Sequence, residues 1–165
     1  MQYAHAIGLA MFSYANDNNG KYPTGHSSTE VFQKLIDGGY ISDPSILYLS
    51  DSQFAGKSPA TSNRLKPENV CWDVTVPVDS VQSDVALPLV FSTGYKIEYV
   101  PNGRAVPLPN KVSDFFAVFY VNNSATISPT NASSDASGVG PNVISATFDA
   151  KGVQYVQLTP DGPLQ

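Results

Sequence analysis

The stretch Met11-Phe-Ser-Tyr-Ala-Asn-Asp-Asn-Asn-Gly-Lys-Tyr-Pro23 decides how this chain is read. Its apolar half belongs to a pattern that runs back to the start: Tyr3, Ile7, Ala10, Met11 and Tyr14 recur at three- and four-residue intervals. That spacing lays them along one face of an amphipathic helix over 2–16. The polar half is a stop. Asn16 to Gly20 favour turn and left-handed backbone, and Pro23 cannot continue a helix. No Ser, Thr, Asp, Asn or Pro stands ahead of the helix to cap it, so residues 1–16 read as the remnant of a longer helix. Tyr3, Ile7, Met11 and Tyr14 are the side chains expected to pack against the rest of the molecule.

Working outward, Ser27-x-x-Glu30 has capping-box spacing, and Val31, Phe32, Leu35 and Ile36 make one apolar face. These predict a second, short helix from Ser28 or Thr29 to Asp37, stopped by Gly38-Gly39. Residues 45–67 are polar and read as a long loop. The period then changes to two. Val70, Trp72, Val74 and Val76 alternate as in a half-buried strand, followed by β-prone runs at 87–93, 95–99 and 115–121. Asn122-Asn123 suits a hairpin returning through 124–127. Asp149-Ala-Lys-Gly152 suits another, joining 143–148 to 153–158. Residues 128–142 form a polar loop, read as plain surface or as a variable or glycosylated contact loop.

The 165 residues fit one domain, 1–165, with an α+β fold. Net charge is −5 and only 14% of residues are charged, so clustered cations for phosphate are lacking and nucleic acid is excluded as a partner. Cys71 is the single cysteine. It allows no internal disulfide and no Cys-based zinc site, and between Val70 and Trp72 it reads as a small buried hydrophobe. The sequence contains no Gly-x-Ser-x-Gly, no His-Glu-x-x-His, no phosphate loop and no Gly-x-Gly-x-x-Gly. His5 and His26 lie far apart in the sequence. Asp17 and Asn19 fail calcium-loop spacing, because Ser28 stands where the loop's Glu belongs. Asp73, Asp79 and Asp84 read as solvated charge around Pro77. The expectation is therefore no catalytic residue, no cofactor and no metal.

The run Gly8-Leu-Ala-Met-Phe-Ser-Tyr-Ala-Asn-Asp-Asn-Asn-Gly-Lys-Tyr-Pro23 resembles the start of the soluble domain in bacterial type IV pilin-like proteins, including type II secretion pseudopilins. Leu35-Ile-Asp-Gly-Gly-Tyr-Ile-Ser-Asp-Pro44 is similar to a second block of that family, and Cys71-Trp-Asp73 with Ala86-Leu-Pro-Leu-Val90 to a third, weaker one. The blocks cover about a quarter of the chain. The family's leader, cleavage site and apolar helix do not occur in this sequence. The resemblance implies a truncated N-terminal helix and a second short helix packed on a small antiparallel sheet. It implies a non-catalytic filament subunit whose partners are other pilin or pseudopilin subunits. The inner membrane would be reached through a missing N-terminal apolar helix, which places the full-length protein in the bacterial cell envelope, periplasmic or extracellular. It also allows a structural calcium near the C-terminus, where Asp149 and Asp161 are the nearest carboxylates, each isolated. A rival reading is a secreted or surface adhesin. It would hold a glycan or host protein with Tyr95, Tyr99, Tyr120 and Tyr155 and the 128–142 loop; a hydrolase is the third.

Overall fold

The first helix, α1 (Gln2–Asp17), buries a stripe of Ala4, Ile7, Met11 and Ala15 against the sheet. Full burial of Ile7 and Met11 contributes about 1.5–3 kcal/mol each. Left-handed Asn19 and Gly20 end it, with the Gly20 amide donating to the Ala15 carbonyl (2.8 Å). The second helix, α2 (Ser28–Asp37), is capped by Ser27, whose hydroxyl accepts from the Glu30 amide (3.1 Å). The Glu30 carboxylate takes the His26 amide, one residue before the cap amide expected of it.

The computed structural model describes residues 2–49, 56–78, 87–109, 111–113, 115–129, 140–149 and 152–164. Among the described residues, eight strands follow the helices: β1 (Trp72–Val76), β2 (Pro88–Ser92), β3 (Tyr95–Ile97), β4 (Ala105–Pro107), β5 (Phe115–Tyr120), β6 (Ala125–Pro129), β7 (Val156–Thr159) and β8 (Gly162–Pro163). Six form one antiparallel sheet in the order β6-β5-β2-β1-β7-β8, and β3 and β4 pair as a separate two-stranded sheet.

This overturns the expected fold. A small antiparallel sheet in a pilin-like layout is replaced by a mostly-sheet molecule, with six strands in one sheet and two in another. The sequence reading erred at the C-terminal end. Residues 143–148 form no strand, so the expected 143–158 hairpin is absent. β7 instead pairs with β1 and with the short β8. β4 and β8 are too short to show periodicity. The 45–67 loop contains a 3-10 turn at Pro44–Leu47 and abuts another at Pro67–Asn69.

α1 lies over β2 and β5, and α2 over β1 and β7. Register and alternation put Trp72, Val74, Val90 and Phe119 on this helix side. Asp73, Thr75, Phe91, Phe116 and Gln157 point to the other side, where β3 lies. β1 is thus buried on both faces, not half-buried as its alternation predicts.

Gly8 sets how closely α1 approaches. A β-carbon there would stand 2.2–2.4 Å from three ring carbons of the buried Phe119. Alanine normally gains about 1 kcal/mol over glycine inside a helix. Here overpacking of about 1–3 kcal/mol outweighs that gain, because a buried ring cannot swing aside. Gly8→Ala is expected to lower stability by up to about 2 kcal/mol in urea unfolding. A rise in midpoint would show that α1 does not rest on that ring.

Candidate functional site

The four residues expected on the packing face of α1 divide. Ile7 and Met11 are fully buried. Tyr14 is half-buried and meets Tyr40 edge-on, with ring centroids 5.5 Å apart. Tyr3 is a correction: it is 43% exposed, because it sits about 100° around the helix from Ala4, off the buried stripe. The outward face of α1 carries Tyr3, Ala6, Leu9 and Ser13, all exposed, and Asp17 is the only charged side chain in the helix. An exposed helix face normally bears charge. This one offers a tyrosine and a leucine instead, with Leu9 42% exposed.

The second arrangement is buried. Asp73 on β1 is 1% exposed, which corrects its reading as solvated charge. Its Oδ1 accepts from the Thr93 hydroxyl and its Oδ2 from Gln157 Nε2, both at 2.7 Å. Gln157 also donates to the Tyr95 carbonyl (2.6 Å) and accepts the Ile97 amide (3.0 Å). One glutamine therefore ties β7 and β1 to β3. Burial pushes the Asp73 carboxyl up to about 7, against the two hydrogen bonds that favour its charged form. Beside it the Tyr99 hydroxyl pairs with Thr75 (2.8 Å), and burial raises the Tyr99 phenol. Asp79 and Asp84 lie outside the described residues. The network has the satisfied geometry of a structural cross-link, with both carboxylate oxygens engaged.

A third feature is an open cleft of about 580 Å³ lined by Thr24, Gly25, His26, Glu30, Gln33, Lys34 and Arg64. It brings together Lys34 and Arg64, which lie 30 residues apart in the sequence. Its polar groups are largely committed to holding the loop. Lys34 donates to the Thr24 carbonyl (2.6 Å), and Gln33 bridges the Asn63 carbonyl and the Leu65 amide (both 2.8 Å). His26 shares the cleft with Glu30, but the Glu30 carboxylate is taken by the His26 backbone amide.

The remaining candidates are separate. His5 packs edge-on against Phe119 on the surface of α1. Asp17 accepts from the Tyr40 hydroxyl (2.7 Å), which raises the Tyr40 phenol. Asp149 and Asp161 are exposed, and among the described residues no three His, Cys, Asp or Glu side chains group as metal ligands. Cys71 is buried, and its sulfur lies 3.4 Å from the Leu49 amide. Tyr95 is buried against Phe116, with its hydroxyl donating to the Ser113 carbonyl, so it belongs to no surface platform. Tyr99 and Tyr155 pack together, 5.6 Å between centroids. Most of the 128–142 loop lies outside the described residues.

No family model, curated protein or solved structure matches the chain. No helix among the described residues is long and apolar enough to cross a membrane. Two arrangements stand out among the described residues: the outer face of α1, charged only at Asp17, and the Asp73–Gln157 network. Sequence reasoning missed Gln157 entirely. Its only signal was a polar residue inside an apolar run, Val156-Gln-Leu158.

Proposed function

We propose that this chain is the head of a type IV pilin-like or pseudopilin-like subunit, a non-catalytic part of an envelope filament. In this reading the full-length protein carries an apolar helix ahead of α1, anchors through it in the inner membrane, and packs with other subunits along it. The observation that carries the reading is the outward face of α1. Tyr3, Ala6, Leu9 and Ser13 give a second helix a surface whose one charge, Asp17, stands at its C-terminal end, so little charge has to be desolvated. The sequence blocks at 8–23 and 35–44 support it independently. The layout of the sheet gives it no support, and the reading does not rest on it.

The test is the native gene and its product. The reading frame is expected to continue upstream of Tyr3 through about 20 apolar residues. The product should fractionate with the membrane and with sheared surface filaments. Leu9→Lys should leave the melting temperature of the head unchanged and remove the protein from the filament fraction. A gene that starts at Met1, with its product in the cytosolic fraction, would overturn the reading.

A further inference from the structure

The two edges of the large sheet are built differently. β8 is two residues long and contains Pro163, which has no amide hydrogen to offer a further strand. Among the described residues, β6 at the opposite edge has neither protection over most of its length. Its amides can be assigned. The Tyr120 amide donates to the Ser124 carbonyl (2.8 Å), and the register pairs Val118 with Thr126 and Phe116 with Ser128. Alternation then turns the backbone of Thr126 and Ser128 toward β5 and that of Ala125 and Ile127 outward. Ile127 and Phe115, both 45% exposed, share the helix side of this edge.

The charge pattern admits a second copy of the chain as the occupant. The chain carries −5 overall, yet no Asp, Glu, Lys or Arg occurs from 115 to 134. Natural sheet edges are usually guarded by a charge, a proline or a bulge, and an unguarded edge is a template for pairing. A second copy can meet this edge without opposing its own negative charge.

We propose that two copies pair β6 to β6 antiparallel about a two-fold axis, joining their large sheets into one. The outward amides fix the register. Ala125 faces Ile127 of the second copy, Ile127 faces its Ala125, and the two Thr126 residues stand opposite each other. Sliding the strands by one pair would set Ala125 against Pro129, which lacks a donor. The helices do not obstruct the contact. With strands about 4.8 Å apart, the two α1 helices lie roughly 19 Å from each other, well beyond a helix diameter of about 10 Å. The contact closes after two copies and so stands apart from the helix-to-helix filament packing proposed above.

Sedimentation of the 165-residue chain from micromolar to millimolar concentration tests it. A monomer–dimer equilibrium is expected, weakened about tenfold or more by Ile127→Lys with an unchanged circular dichroism spectrum. Val156→Lys, at an exposed apolar residue away from this edge, should leave it unaltered. Thr126→Cys places two thiols across a non-hydrogen-bonded pair, where the Cα separation of about 4.5 Å allows a disulfide. Mild oxidation should trap that variant as a covalent dimer and leave the parent chain uncrosslinked. A chain that stays monomeric at every concentration overturns the proposal. So does a dimer that Ile127→Lys does not weaken and Thr126→Cys does not trap.

Discussion

Gln157→Leu is expected to destabilise the protein by about 3–6 kcal/mol, enough to leave it close to unfolding. The substitution removes three hydrogen bonds at once. Asp73 Oδ2, the Tyr95 carbonyl and the Ile97 amide each lose the bond to this side chain. The glutamine is buried, so water cannot replace it, and each lost bond costs about 1–3 kcal/mol. Added leucine hydrophobicity does not offset three such losses. Urea unfolding measures the effect, and Gln154→Leu, at an exposed position three residues earlier, should stay within about 0.5 kcal/mol of the parent. Equal midpoints for Gln157→Leu and the parent would show that the small sheet is not held through this side chain.

Asp73 should make the fold less stable as pH rises from about 4 to 7. The ordinary value of the carboxyl is 3.8, and burial raises it to about 7 in the fold. Between these values the folded chain binds a proton that the unfolded chain has released. The contribution is complete below the unfolded value and is lost as pH climbs through the folded one. At its steepest the slope is about 1.4 kcal/mol per pH. A protonated Asp73 can donate to the Thr93 oxygen while still accepting from Gln157, because the hydroxyl rotates. Asp73→Asn reproduces that pattern at every pH. It should match the parent near pH 4 and exceed it above pH 7 by a few kcal/mol. The readout is the difference between the two urea midpoints across pH, since other carboxylates cancel in it. A difference that stays flat from pH 4 to 8 would show that Asp73 keeps its ordinary value.

Both expectations concern polar side chains inside strands, and there the sequence was least legible. Asp73 and Thr75 alternate with Trp72, Val74 and Val76, a pattern that reads as one face in and one face out. Periodicity tells which residues share a face. It does not tell whether a second layer covers the polar one. Here β3 covers it, and the polar residues that meet it are matched by partners 20 and 84 residues away in the chain. Tyr3 shows the same limit on a helix: its spacing groups it with Ile7, although the buried stripe runs through Ala4.

What the sequence determined by itself is local. The end of α1 follows from Asn16 to Gly20, whose backbone preferences act within a few residues. The start of α2 follows from Ser27, whose hydroxyl reaches an amide three positions on. β5 and β6 follow from an apolar run, a pair of asparagines and left-handed Asn123. Tertiary structure alone decided the order of six strands, the pairing of β7 with β1, the burial of Asp73 and the place of β6 at the end of the described sheet. Each of these depends on which distant segment arrives beside a strand. That is fixed by the packing of the whole core, not by the preferences of neighbouring residues.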